Sequence, residues 1–186
     1  RVLFVSFDEY QDAVTRNLRS VGIDLQSPID SGHLHFCARE AWAFLVEEHY
    51  MTLVDLLDRL EPQCLIIDPV SALLKAFSAD NSHVMTERLL TIARTRGITV
   101  MLTSLTTQDQ PETETTLSQV STLADTWISL AYAVRGGERN RALSVVKSRG
   151  SAHSNQVREL ILSSDGVDLA DVYEFGSEVL MGTARI

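Results

Sequence analysis

The sequence predicts an α/β fold built on a mostly parallel sheet, and three observations predict it. Short apolar runs of strand type recur at Val2–Phe7, Gln63–Asp68 and Ile98–Thr103. Segments with apolar residues at three- and four-residue spacing lie between them, the signature of amphipathic helices. The run Cys64-Leu65-Ile66-Ile67 is apolar without alternation and ends in Asp68, as a strand covered on both faces would. Strands alternating with helices imply right-handed crossovers.

At 186 residues the chain fits one domain, 1–186, with a sizeable core, since a domain of this size buries roughly 70% of its unfolded surface. No apolar run approaches the roughly 20 residues needed to span a bilayer, and the N-terminus has no secretory pattern, so a soluble cytoplasmic protein is expected. Cys37 and Cys64 sit in apolar runs without metal-ligand spacing, and buried free thiols are expected. The net charge of −9 disfavours broad contact with nucleic acid. Lys75 and Lys147 are the lysines and every other basic residue is arginine, which suits two-pronged recognition of phosphate or carboxylate.

The chain opens inside a buried-type strand that runs into Asp8-Glu9. A preceding strand and helix are therefore expected. Asp12–Val21 has helical spacing, with Gly22 placed to cap it. Ile23–Gly32 reads as a polar connection leading to the strand His33–Cys37, whose two histidines alternate with apolar residues; they face solvent or, less simply, pair on a metal. Phe44–Leu60 reads as a long amphipathic helix that delivers the chain to the Asp68 strand. Ala76–Ser82 is small and polar, a loop; Val84–Arg96 is a helix ended by Gly97. Ser104–Thr116 has no periodicity and reads as a mobile loop suited to ligands or partners. A short helical segment around Leu117–Ala124 follows. The strand Trp127–Val134, a turn at Gly136-Gly137 and the returning strand Ala142–Lys147 form a hairpin; Val157–Leu162 and Val167–Leu169 form a second across Asp165-Gly166. These antiparallel hairpins are expected to extend the parallel sheet.

Two constellations could carry chemistry. Asp8 and Glu9 end one strand and Asp68 ends another. In open α/β sheets ligands bind at that edge, and in nucleotide hydrolases an Asp there holds magnesium. One carboxylate could then hold a metal while another deprotonates water. Equally, Asp68 can be a plain acidic strand end, and Asp8-Glu9 can favour the next helix's N-terminus through its dipole. The second constellation is Arg141–His153: Arg141, Lys147 and Arg149 are evenly spaced, so an extended strand would project them to one side, with Gly150-Ser151 breaking it. Such a row suits a polyphosphate, or is a solvated face.

Several stretches together resemble a known family: Phe7-Asp8-Glu9, Arg16 to Leu25, Leu65 to Leu73, Ser118 to Thr126, and Arg139 to His153. In order and spacing they look like the KaiC circadian-clock ATPases of the RecA superfamily, most like the second of their two ATPase domains. The resemblance implies a RecA-like P-loop NTPase core with C-terminal antiparallel hairpins, ATP and Mg2+ as cofactors, and a hexameric homo-oligomeric ring with nucleotide between subunits. Asp8 and Glu9 match the paired catalytic glutamates, and Asp68, with Asp8 beside it, the metal site of the Walker B strand. Arg141, Lys147, Ser148 and Arg149 match the strand that contacts ATP across a subunit boundary, with Ser151 and His153 nearby. Ser121-Thr122 match the Ser-Thr pair that the family's second domain autophosphorylates; they could equally cap and pack a short helix.

Three departures qualify this. No Gly-x-x-x-x-Gly-Lys-Ser/Thr is present, so the chain lacks the P-loop segment and this stretch alone is expected to bind ATP weakly or not at all. Asp8 stands where Glu is usual, and Val21 where an aromatic stacks on adenine. Two other functions compete: a non-hydrolysing ring scaffold that binds regulatory partners through Ser104–Thr116, and a DNA-handling recombinase relative, which the acidic balance disfavours.

Overall fold

The computed structural model describes residues 1–105, 123–135 and 138–170. Within them the chain divides into two compact units. The first is α/β. Its strands β1 (Val2–Ser6), β2 (Leu34–Ala38), β3 (Cys64–Asp68) and β4 (Thr99–Leu102) form a parallel sheet in the order β2-β1-β3-β4. The register sets Ser6 opposite Ala38 on one side and Asp68 on the other, so the strands end level along one rim.

Helices α1 (Gln11–Arg19), α2 (Gln26–Asp30), α3 (Val46–Leu60), α4 (Val70–Ala76) and α5 (Ala79–Thr95) connect them. Leu3, Val5, Leu65 and Ile67 alternate inward from the two central strands and meet Leu53, Leu56 and Leu57 of α3, Leu73 of α4 and Met85 and Leu89 of α5. That single core explains why the apolar runs are strands and the spaced apolar residues helices: β1, β3, α3, α4 and α5 each bury the face their period provides.

The structure corrects several boundaries. The connection Ile23–Gly32 contains α2, started by Asp24, whose carboxylate accepts from the Gln26 N–H at 2.9 Å and from the Ser27 hydroxyl. Ala76–Ser82 is not a loop: α4 ends at Ala76, and α5 begins two residues past Phe77, capped by the Ser78 hydroxyl accepting from Asn81 N–H at 3.4 Å. The small polar residues there make a close helix crossing, with the buried Ser82 hydroxyl donating to the Leu73 carbonyl at 3.0 Å. Helix α3 starts at Val46, after Phe44 and Leu45. Cys37 and Cys64 are free but only half-buried.

The second unit is antiparallel: β5 (Thr126–Arg135), β6 (Glu138–Ser148), β7 (Arg158–Ser163) and β8 (Gly166–Leu169), in that order. Among the described residues these hairpins pair with one another in an antiparallel sheet. The second hairpin turns at Ser164-Asp165, one residue earlier than the Asp-Gly signal suggests, with Gly166 taking a φ of 121° and pairing with Ser163. The expected turn at Gly136-Gly137, nearly all of the Ser104–Thr116 loop, and Ser121 and Thr122 lie outside the described residues. No described helix is long and apolar enough to cross a membrane.

Candidate functional site at the carboxyl rim of the parallel sheet

The Asp8-Glu9 tip and Asp68 occupy the same rim. The Phe7 N–H donates to the Asp68 carbonyl at 2.9 Å, extending the β1–β3 ladder to the last residue before Asp8. Buried Ser6 then turns the chain, its hydroxyl accepting from the Glu9 N–H at 3.0 Å. Asp8 and Glu9 leave the core and present exposed carboxylates. On the other side, the Thr103 hydroxyl donates to Asp68 Oδ1, which holds the half-buried carboxylate against β4.

A cavity of about 390 Å³ opens beside the tip, lined by Asp8, Glu9, Tyr10, Arg39, Trp42 and Lys75 among others. Asp68 does not line it. Tyr10, Arg39, Trp42 and Lys75 are not legible as a group in the sequence, because they come from the connections after β1 and β2 and from α4, which the pairing of β1 with β2 and β3 brings together. The Tyr10 hydroxyl donates to Glu40 Oε1, and that bond and the Glu40 charge raise the phenol's pKa. Arg39 is held from below: its Nε donates to His49 Nδ1 at 3.1 Å and its guanidinium lies 4.2 Å from the Phe44 ring centroid. Since Nδ1 accepts, the imidazole carries its proton on Nε2, which donates to the Ala41 carbonyl at 3.0 Å. Burial lowers the His49 pKa, against a smaller opposing effect of the Ala41 bond. His49 also meets Phe7 edge-on at 5.2 Å, so one buried imidazole braces both the strand end before Asp8 and the loop carrying Trp42.

The second unit treats the basic row differently from the even-spacing expectation. Trp127 pairs with Lys147 and Ile128 with Val145, so a bulge at Val146 shifts the register by one residue. Arg141, opposite Tyr132, therefore shares the exposed face of Leu130 and Ile128, and Lys147 shares the opposite face with buried Ala142. Ser148 returns to the Arg141 face, its hydroxyl 2.6 Å from that of Ser151 and 3.3 Å from that of Thr126. Arg149 lies in the turn beyond, its N–H donating to the Asp125 carbonyl at 2.8 Å, and His153 in an exposed stretch.

A family model described as "ATPase: KaiC" matches residues 1–173. The chain belongs to the KaiC family. It is 38% identical over its full length to the circadian clock protein KaiC2 of Synechocystis sp., covering 33% of that protein. It is 28% identical over 98% of its length to the circadian clock oscillator protein KaiC 1 of the same organism, covering 35% of it, and likewise 28% identical to the KaiC of Parathermosynechococcus lividus, covering 34%. The chain thus spans about a third of the length of these curated relatives.

Membership of the KaiC ATPase family implies nucleotide binding, and the donors at the rim are of the kind a hard cation would take. They are carboxylate oxygens, and Mg2+ takes one or two carboxylates together with substrate phosphates rather than an all-protein cage. Among the described residues no group of three metal-ligating side chains is found, and His33 and His35 are exposed.

Proposed function

We propose that this segment supplies the acidic rim and the cationic strand of a Mg2+-dependent ATP hydrolase, working in a homo-oligomeric ring, with both compact units parts of one RecA-like domain. The observation that supports this reading most is the common rim of Glu9 and Asp68, tied together by the Phe7–Asp68 backbone bond. Asp68, with Asp8 beside it, would hold Mg2+, which when bound neutralises charge developing on the β- and γ-phosphates. Glu9 takes the proton of an attacking water, with Asp8 completing the pair and shorter by one methylene than a glutamate. Arg141, Ser148 and Ser151, on one face of β6 and the turn after it, reach the phosphates of ATP held by the adjoining protomer. Lys147, on the opposite face of β6, and Arg149 and His153, beyond its end, complete the basic stretch.

Within this reading the segment corresponds to the C-terminal ATPase domain of a clock-type or other signalling ATPase in the cytoplasm, with Ser121 and Thr122 as autophosphorylation sites. Regulatory proteins would be its partners. Steady-state ATP turnover by the full-length protein tests the core of it. Turnover that needs Mg2+ is expected, and none with Mg2+ present would refute it. Mass spectrometry after incubation with Mg-ATP tests the two phosphosites separately.

A further inference from the structure

Asp68 ends β3, and its carboxylate is held by Thr103, the residue that follows β4. The Thr103 N–H donates to the Ile67 carbonyl at 3.0 Å, and its carbonyl accepts from the Val70 N–H at 2.9 Å. Both backbone groups are therefore used, on either side of Asp68, and the Thr103 Cα cannot turn without breaking one of these bonds. Two residues on, the Leu105 N–H donates to the hydroxyl of buried Ser71 at 3.1 Å, which pins the continuing chain to α4. From that fixed backbone the Thr103 hydroxyl, in the rotamer it adopts, donates to Asp68 Oδ1.

We propose that Thr103 is a positioning residue for the metal-binding carboxylate. This rests on the reading of Asp68 as the Mg2+ ligand. A free aspartate side chain samples several rotamers, and fixing it before the metal arrives removes that entropy from binding. The hydroxyl hydrogen occupies one lone pair of Oδ1, so Oδ2 is the oxygen that would be the donor for a cation. Groups that hydrogen-bond a metal ligand from behind typically change metal affinity by about 10–100-fold when removed. Thr103 touches neither metal nor nucleotide; it acts through Asp68.

The test is Mn2+ binding, followed by electron paramagnetic resonance, to the full-length protein in the presence of ATP. Mn2+ reports on the Mg2+ site whether or not turnover occurs. Thr103→Val keeps shape and β-branching and removes the donor, and is expected to weaken Mn2+ binding about tenfold or more. ATP affinity measured in EDTA stays at the wild-type value, because that binding does not pass through Asp68. Thr103→Ser restores the metal affinity. Thr103→Ala serves should the valine variant lose its cooperative melt. A Thr103→Val or Thr103→Ala protein that melts as wild type and binds Mn2+ equally well overturns the proposal. A wild-type protein that binds no Mn2+ alongside ATP overturns the Asp68 reading itself, and Thr103 falls with it.

Discussion

The Phe7 amide and the Asp68 carbonyl are joined by a 2.9 Å hydrogen bond, and that bond sets the reach between the two acidic ends of the sheet. Because β1 and β3 are parallel and in register from Val2↔Cys64 to Ser6↔Asp68, neither acidic end can slide along the other without moving a whole strand. The backbone that carries the carboxylates is thus fixed by strand pairing, and the exposed Asp8 and Glu9 can be substituted without disturbing the fold.

Glu9→Gln removes a proton acceptor and keeps size and hydrogen-bonding capacity at an exposed position. In the full-length protein it is expected to lower ATP turnover by roughly 10²–10⁴-fold, the span of general-base catalysis, with ATP affinity little changed. A non-hydrolysing scaffold would show no difference between the two proteins. Asp8→Asn is expected to raise the Mg2+ concentration needed for half-maximal turnover, which a Mg2+ titration reads directly.

Leu65 is fully buried in β3 between strands β1 and β4. Truncation to Ala leaves a cavity that the two ladders keep from collapsing, so a loss of about 2–5 kcal/mol in unfolding free energy is expected by urea titration. The same strand ends in Asp68, so Leu65→Ala is also expected to weaken Mn2+ binding, through disorder of the rim.

Much of this was legible in the sequence, and for identifiable reasons. Strands β1 and β3 declare themselves because a central parallel strand is apolar on both faces, and Asp8 and Asp68 stand out as the first charges after those runs; β4 shows by its β-branched and apolar residues although Thr99 and Met101 are exposed. The Ser78–Ser82 stretch misleads because serine, asparagine and aspartate are cap residues as well as loop residues, and only the buried Leu73–Ser82 contact shows which role they take. Arg141 and Lys147 misled through the strand period: two-residue alternation holds until a bulge, and no single residue near Val146 signals one. The cavity beside Asp8 was out of reach, since Tyr10, Arg39 and Lys75 meet through strand order, which local patterns do not encode.

His49 links pH to stability. Burial holds its imidazole pKa below the usual value near 6.5, so at acid pH the unfolded chain binds a proton that the folded chain refuses. Its contribution is complete above about pH 6.5 and is lost as pH falls from there toward the folded-state pKa. Arg39, whose Nε already donates to Nδ1, opposes the charged form, while Glu48 favours it. Urea unfolding at pH 7.5 and 5.5 should show a drop that His49→Gln reduces, because glutamine has no proton to take up in that range. An equal drop in both proteins would place the acid sensitivity elsewhere.

The bulge at Val146 separates two basic residues that even spacing would equate. Lys147 lies on the face of buried Ala142 and half-buried Trp127, so Lys147→Ala is expected to lower the melting temperature by stripping a packed alkyl stem. Arg141 is exposed, so Arg141→Ala should melt as wild type while losing at least about tenfold in turnover through the lost phosphate contact. If Arg141 serves the neighbour's ATP, mixing rescues it. A ring assembled from Glu9→Gln and Arg141→Ala protomers contains sites that draw Glu9 from one and Arg141 from the other. In a head-to-tail ring with random order such sites are about a quarter of the total, so the mixture should recover about a quarter of wild-type turnover. A mixture that recovers nothing, with subunit exchange verified by mass, would put Arg141 in its own protomer's site.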